Sequence, residues 1–379
     1  MPWKTTTPMS QRLEFVQLAL ADRANIRSLC RRYGVCAMTA YKWIHRFQKG
    51  GVAALEDRSR CPHTSPYKIA SVVEQAIVDL RQRRPVWGGR KIRQRLLTIG
   101  YQNVPSASTV TAVLRRQGLL DSSKNRPTRD LQRFEAPAPN ALWQMDFKGD
   151  FSLLTGRCYP LTVLDDHSRF ALGVMACANQ QMETVQEHLS TIFRRYGLPH
   201  RILSDNGGPW GSCGNEAYTK LEVWLIRLGV EVSHSRVCHP QTLGKDERFH
   251  RTLKAEVLSQ HILTDLGQCQ YRFDLWRDIY NLERPHEALE MAVPATRYQP
   301  SPRTFTDLLP SIEYGPDDII RKVQAKGEFS FRNQLFKVGK AFAGLPIALR
   351  PTLTDGSYDV FLSWKRIAQI NLINHIANP

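Results

Sequence analysis

Three acidic residues in this 379-residue chain stand in settings where a carboxylate can take part in chemistry. Asp146 lies within 143–151, where apolar and polar residues partly alternate, as they do in a strand. Asp205 ends a short apolar run, and an Asn-Gly-Gly-Pro sequence breaks the run after it. Glu247 opens a run that contains no Pro or Gly as far as Gln260, which predicts a helix. A carboxylate in a core strand is costly unless it is paired or binds a metal, so we expect a functional site here.

The residue types indicate a site for a divalent metal. Carboxylate oxygens suit Mg²⁺ or Mn²⁺, and strand ends that open into Gly-rich loops commonly carry catalytic groups. On the predicted helix, Arg251 and Lys254 follow Glu247 by four and seven residues and therefore share its face. The alternative is an ordinary solvated ladder of charges on the helix surface.

The net charge of +17 is unevenly distributed along the chain. Residues 1–136 hold 25 Lys and Arg against 9 Asp and Glu, a net charge of +16, whereas residues 137–379 hold 27 against 26. A basic block joined to a near-neutral block indicates a polyanion-binding arm on a core with a different task. The alternative is a basic surface that serves solubility alone.

The first part of the basic block, residues 1–50, predicts a helix-turn-helix domain. Helices are expected over 11–21, 26–33 and 38–48, with a short turn at Gly34 before the last one. In a helix-turn-helix the last helix contacts DNA, and its candidate DNA-binding residues are Thr39, Lys42 and Arg46. A plain three-helix bundle is the alternative, because it packs in the same way.

A second helix-turn-helix unit is predicted over residues 68–120. A linker over 51–67 precedes it, and a linker over 121–141 with several prolines and charges follows it. The unit is strongly basic, and its candidate DNA-binding residues are Arg90 and Lys91.

The rest of the chain predicts two further domains. Residues 142–300 alternate strands with amphipathic helices after three successive strands, which indicates an α/β core. Residues 312–379 contain five or six short strands separated by turns, a pattern that fits a small closed β-barrel.

Composition excludes several classes of protein. The chain has no apolar run long enough to cross a membrane and no secretory start, so we expect no membrane partner. Its eight cysteines are scattered without a Cys-x-x-Cys pair, which argues against a zinc module. We therefore expect a reduced cytoplasmic protein that associates with the cell's DNA when it binds DNA.

The acidic stretches belong to a wider set of motifs that resembles the retroviral-integrase superfamily, and more narrowly bacterial insertion-sequence transposases with a core of the Asp, Asp, Glu (DDE) type. The matching motifs are Trp-Gln-Met-Asp at 143–146, Leu-Asp-Asp-His-Ser-Arg at 164–169, Ser-Asp-Asn-Gly at 204–207, His-Pro-Gln-Thr at 239–242 with Gly-Lys-Asp-Glu-Arg at 244–248, and Arg-Pro-His-Glu-Ala-Leu at 284–289. Each motif is weak alone, but their common order over roughly 150 residues is a strong signal.

The resemblance implies a fold and a reaction. The core would be ribonuclease-H-like, with a mixed sheet flanked by helices, and the C-terminal domain an SH3-like barrel. Asp146, Asp205 and Glu247 would hold two Mg²⁺ or Mn²⁺ ions for phosphoryl transfer. The chain would bind the terminal repeats of a mobile element, cleave the ends and join the 3′-hydroxyl to target DNA, as a homodimer or higher homo-oligomer. Arg251 and Lys254 fall where the family places basic residues that face DNA.

Two residues depart from the family pattern, and two acids could be mistaken for catalytic ones. Leu243 stands where a polar residue is common, and Asp246 adds an acid beside Glu247. Asp165 and Asp166 are interpreted as part of a turn into the third strand. Two other functions remain open: a DNA-binding regulator with an inactive core, and a ribonuclease-H-type nuclease that only cuts.

Overall fold

A computed structural model describes residues 7–59, 69–120, 135–205, 207–211, 218–234, 244–373 and 376–378. The chain divides into two compact units, Met1–Lys68 and Ile69–Pro379. The predicted motif at 239–242, Leu243, residues 60–67 of the first predicted linker and residues 121–134 of the second lie outside the described residues.

The first unit contains three helices, α1 (Pro8–Ala19), α2 (Ile26–Tyr33) and α3 (Ala37–Gly50). Helix α1 begins three residues earlier than predicted, because Thr7 forms a capping box with Ser10. The Asn25 side chain caps α2, and Gly34 ends that helix in the left-handed conformation with φ of 63°. The helices enclose a small apolar core that includes Phe15, Val16, Ala40, Ile44 and Leu55.

The second unit begins with a further three-helix domain, α4 (Ser71–Arg83), α5 (Gly89–Thr98) and α6 (Ala107–Arg116). Its core is built around the fully buried Ile77, Ile92, Val110 and Leu114. Helices α5 and α6 approach closely at Gly89, where an added Cβ would lie 2.6 Å from the carbonyl oxygen of Ala107.

The α/β core follows, with its elements in the order that the sequence predicts. They are β1 (Trp143–Phe147), β2 (Phe151–Leu153), β3 (Gly156–Asp165), β4 (Ala171–Cys177), α7 (Met182–Tyr196), β5 (Arg201–Ser204), α8 (Lys220–Arg227), β6 (Glu231–His234), α9 (Gly244–Leu253) and α10 (Leu266–Leu282). The strand-like stretch over 143–151 is not one continuous strand, because Gly149 adopts a φ of 86° that breaks the extended chain and separates β1 from β2.

The core sheet is mixed. Strand β1 lies in the middle of the order β2-β3-β1-β5-β6, and β4 pairs with β3. Pairing is antiparallel between β1 and β3 and between β3 and β4, and parallel between β1 and β5 and between β5 and β6. This arrangement, with helices on both faces, confirms the predicted ribonuclease-H-like class.

The two faces of the sheet pack against different helices. Trp143, Met145 and Phe147 of β1 belong to the apolar cluster that includes residues of α7 and α8. The opposite face packs against Phe249 of α9 and Phe273 of α10. Because side chains alternate along a strand, Gln144 and Asp146 point toward the α9 face.

The C-terminal domain is all β, as predicted. It contains β7 (Ile319–Lys322), β8 (Glu328–Phe331), β9 (Gln334–Lys337), β10 (Pro346–Pro351), β11 (Ser357–Leu362), β12 (Lys365–Asn371) and β13 (Ile376–Asn378). Five strands form an antiparallel sheet in the order β13-β12-β11-β10-β7, and β8 pairs with β9. The domain shares its apolar core with Val223 and Ile226 of α8, so it packs directly on the α/β core.

Candidate active site

Two predicted carboxylates meet at the centre of the sheet. The parallel register pairs Gln144 of β1 with Leu203 of β5. Asp146 of β1 and Asp205, the residue directly after β5, each lie two residues further along, so continuing this register places them side by side on the same face. Burial, and then the charge of Asp205, raises the pKa of Asp146 to about 7.

The Asp205 carboxylate is held by the turn that follows it. The backbone N–H of Gly207 donates to Asp205 Oδ1 over 3.0 Å, and the indole Nε1–H of Trp210 donates to the same oxygen. Trp210 is buried, and its ring stacks on that of Phe147, the residue after Asp146. The sequence predicted that the turn breaks the strand, but it did not predict this role for Trp210.

A histidine of α9 borders Asp146. His250 Nδ1 lies 3.9 Å from Asp146 Oδ2, and the other ring nitrogen lies 2.8 Å from Thr162 Oγ1. Thr162 is the residue of β3 that pairs with Asp146 in the sheet. Burial, and then the charge of Lys148, lowers the pKa of His250 to about 4, so the ring is neutral at pH 7.

Helix α9 exposes Glu247 and buries its neighbour. Asp246 is fully buried with Phe249 and Leu253 on the inner face of the helix. Neither Asp246 carboxylate oxygen has a hydrogen-bond partner among the described residues. Burial, followed by the charges of Asp146 and Asp166, raises the pKa of Asp246 well above its ordinary value. Glu247 lies one helical turn before His250 and is exposed.

The structure thus brings together two of the three predicted metal ligands. Within the described ranges, no group of three or more Asp, Glu, His or Cys side chains is arranged so that it could hold a metal ion. The Asp146–Asp205 pair nevertheless fits a divalent cation. Its carboxylates repel each other at a partly buried position, a cation would remove that repulsion, and Asp205 Oδ2 has no donor among the described residues. Glu247 remains the predicted third ligand.

Basic residues flank this pair of acids. Arg251 and Lys254 are exposed, and Lys254 begins a π-helical turn over Lys254–Leu258. Burial, and then the charge of Lys254, lowers the pKa of Lys148, the residue that follows β1. Lys148 directly follows β1 in the sequence, but no pattern in the sequence predicted an interaction between Lys148 and a residue that follows α9.

Asp165 and Asp166 form the predicted turn. Asp165 accepts hydrogen bonds from the backbone N–H groups of Asn140 and Ser168, each over 2.8 Å. Asp166 accepts from Gln144 Nε2 over 2.7 Å and forms an ion pair with Lys245 of α9. Both acids are fully buried and engaged within the protein, so their contacts are structural.

In the first unit, the predicted DNA-binding residues lie on α3. Lys42 is exposed, whereas Thr39 and Arg46 are half-buried. The Lys42 ammonium and the Arg46 guanidinium lie 5.3 and 4.9 Å from the centre of the Trp43 ring. Contact with DNA at these residues stays a prediction.

In the second unit, Arg90 and Lys91 of α5 lie against the α/β core. Arg90 forms an ion pair with Glu287 over 3.6 Å, and Arg84 and Arg95 both contact Glu283 over 3.4 Å. Burial lowers the pKa of Lys91 to about 8. The sequence predicted DNA contact for Arg90 and Lys91, and that contact stays a prediction; in the structure Arg90, and also Arg84 and Arg95, form ion pairs with the core.

Comparison with known proteins shows that each part of the chain matches a known family model. Residues 136–240 match a family model described as the integrase core domain, and residues 228–294 match a second model with the same description. Residues 11–63 match a helix-turn-helix domain and residues 39–114 a homeodomain-like domain. Residues 318–378 match the C-terminal domain of the IS481 family of transposases. The predicted fold class is therefore confirmed for all three parts of the chain.

Similar proteins come from insertion elements. An uncharacterized 31.7 kDa protein of insertion element IS407 from Burkholderia multivorans is 28% identical over 158 residues, which cover 42% of this chain and 55% of that protein. A transposase for insertion sequence element IS904 from Lactococcus lactis is 27% identical over 46% of this chain and 67% of its own length. The chain spans about half the length of the first curated relatives it matches. The predicted resemblance to insertion-sequence transposases with an integrase-type core is confirmed.

A solved structure with a detectable likeness is a chain of the simian T-cell lymphotropic virus intasome. It shares 14% identity with this chain and has a TM-score of 0.38, and the match covers 77% of this chain and 98% of that one. Among the described residues, no helix is long and apolar enough to span a membrane.

Proposed function

We propose that this protein is a transposase that cleaves the ends of a mobile DNA element and joins them to target DNA. One observation carries the proposal: Asp146 and Asp205 lie side by side at the centre of the sheet, where burial and mutual repulsion raise the pKa of Asp146 to about 7. Such a pair is unfavourable by itself and is relieved by divalent cations.

Asp146, Asp205 and Glu247 would hold two Mg²⁺ or Mn²⁺ ions. When bound, these ions supply a water nucleophile at neutral pH and stabilise the attacking and leaving oxygens of an in-line displacement. Asp205 presents Oδ2 while Oδ1 is held by its turn, and Asp146 is fixed within β1. Glu247 is exposed on α9 one helical turn before His250, which itself borders Asp146, and its side chain would turn toward the pair to complete the ligand set.

The other residues of the site bind and orient DNA. Lys148, Arg251 and Lys254 provide positive charge beside the acidic pair, and they would contact phosphates rather than bases. Neutral His250 holds Thr162 and borders Asp146, so it helps to fix the geometry of the strand pair. The protein contributes mainly orientation and charge neutralisation.

Sequence-specific binding of the terminal repeats would come from the helix-turn-helix of the first unit. Its candidate residues, Thr39, Lys42 and Arg46, lie along α3. Since two element ends must be joined to one target, we propose that the active form contains two or more copies of the chain on DNA.

The test uses purified full-length protein, Mg²⁺ and labelled DNA that carries the ends of the element encoding the chain. The proposal predicts cut ends and then products joined to a second DNA. Cut products alone would indicate a nuclease, and binding without any cleavage would indicate a regulator with an inactive core. A scrambled end of equal length is the control for sequence recognition.

A further inference from the structure

We propose that Trp210 is a positioning residue for the reaction, and that it fixes the Asp205 carboxylate so that one oxygen faces Asp146. The inference rests on the proposed function, because it concerns the same pair of acids. It goes beyond that function in assigning a role to a residue that does not belong to the predicted set of ligands.

The hydrogen bonds of Asp205 are distributed unequally between its two oxygens. Oδ1 accepts from the backbone N–H of Gly207 and from the indole N–H of Trp210. Among the described residues, no donor reaches Oδ2. The two donors on Oδ1 hold the carboxylate in one orientation. Because both oxygens of a carboxylate can accept bonds, Oδ2 stays available for a cation.

The indole is itself anchored to the strand that carries the other acid. Its ring stacks on Phe147 with a centroid distance of 5.1 Å and an interplanar angle of 20°. Phe147 is the residue directly after Asp146 in β1. One side chain therefore links the two carboxylates: it bonds to Asp205 and packs on the neighbour of Asp146.

A purely structural role for Trp210 makes a different prediction. The residue is 2% exposed and belongs to the apolar cluster beneath the sheet, so it also fills the core. Trp210→Phe separates the two roles, because the smaller ring keeps most of the stacking on Phe147 but has no N–H for Asp205. Trp224→Phe is the matched control: it removes an indole from the same cluster, at a residue of α8 whose ring stacks on Phe193.

The experiment titrates the full-length variants with Mn²⁺ and measures free Mn²⁺ by electron paramagnetic resonance. Loss of an outer hydrogen bond to a metal ligand commonly weakens metal affinity about 10- to 100-fold. We expect the Mn²⁺ dissociation constant of Trp210→Phe to rise by about that factor, whereas Trp224→Phe stays within about twofold of the wild type. We also expect joining by Trp210→Phe to recover in part at raised Mn²⁺, since its metal ligands remain.

Asp205→Asn distinguishes failure of this inference from failure of the proposed function. If Asp205→Asn binds Mn²⁺ weakly but Trp210→Phe binds it as the wild type does, the positioning role is wrong and the function stands. If Asp205→Asn also binds as the wild type does, Asp205 is not a ligand and the proposed site is wrong.

A second measurement tests the inference if the Trp210→Phe variant does not fold. The chain has 8 tryptophans, and ¹⁵N labelling resolves their indole N–H resonances. In the wild type, Mn²⁺ should broaden the indole resonance of Trp210 first, which assigns that resonance. We expect the same resonance to shift in Asp205→Asn, because the acceptor of its hydrogen bond has lost charge. An unchanged resonance would overturn the inference.

Discussion

Asp166 and Lys245 form an ion pair that joins the turn after β3 to the first turn of α9. Asp166 is fully buried and the Lys245 side chain is 16% exposed, so the pair is largely removed from solvent. Lys245 Nζ also donates to the backbone carbonyl of Asp166 over 3.1 Å. The pair fixes the start of the helix that carries Glu247 relative to the strand layer.

Lys245→Met should therefore destabilise the protein and impair joining. It leaves the Asp166 carboxylate buried with fewer partners, which costs about 3 kcal/mol of unfolding free energy when a buried pair is broken. The loss of unfolding free energy is measured by chemical denaturation, from the unfolding transition of the second unit. Lys220→Met, at an exposed residue that begins α8, is the control. A loss equal to that of the control would show that the pair contributes nothing.

Gly89→Ala should destabilise the second helical domain. The added Cβ would meet Thr111 Oγ1 and the carbonyl oxygen of Ala107, so α5 and α6 would have to separate. Overpacking of this kind typically costs about 1–3 kcal/mol. Gly88→Ala is the matched control, because a Cβ there meets no atom within 4 Å. Thermal unfolding of both variants checks the difference; equal melting temperatures would contradict the close packing.

Lys91 of α5, which lies against the α/β core, should make the free energy of unfolding depend on pH. Burial lowers the pKa of Lys91 from 10.5 to about 8. Below pH 8, folded and unfolded chains both carry the proton, and the folded chain bears the full penalty. Between pH 8 and 10.5 only the unfolded chain keeps it, so the unfolding free energy rises with pH in this window.

Lys91→Met removes this penalty and should stabilise the protein at pH 7, by at most about 3 kcal/mol. The advantage should shrink as the pH rises from 8 to 10. Denaturant unfolding at three pH values measures it, and Lys326→Met, at an exposed residue of the C-terminal domain, corrects for general charge effects. A difference that does not change with pH would show that Lys91 is not desolvated.

The sequence predicted the order of elements well because each element has its own local signal. Amphipathic periodicity marks α7, Asn25 and Gly34 bracket α2, and short apolar runs mark β3 and β5. It failed where the outcome depends on side-chain packing that no sequence pattern marks. Nothing local shows that Trp210 bonds to Asp205, or that Asp246 is buried while Glu247 is exposed.

Arg251 and Lys254 should contact phosphates just inside the reactive end. Replacing both by Ala should weaken joining of all end sequences about equally and reduce the salt slope by roughly one unit per lost contact. Stability should change by less than about 1 kcal/mol, since both side chains are exposed. A strand-transfer titration across salt concentrations compares this variant with Arg272→Ala plus Lys326→Ala, which removes equal charge elsewhere. Normal joining at moderate salt would instead support a surface charge ladder.

We propose that Asp146, Asp205 and Glu247 form one metal-dependent site. The most direct measurement is strand transfer by Asp146→Asn, Asp205→Asn and Glu247→Gln, with end-DNA binding measured on the same preparations. Asp246→Asn is the matched control, because the Asp246 carboxyl is buried on the inner face of α9 whereas that of Glu247 is exposed. We expect the first three variants to bind end DNA with wild-type affinity but to join it at least about 1000-fold more slowly. The loss of joining rate in Asp246→Asn should be clearly smaller. Joining at a near wild-type rate by any of the three variants would show that the replaced residue is not part of the site. If Asp246→Asn lost all joining activity and Glu247→Gln kept it, the third metal ligand would be Asp246 and not Glu247.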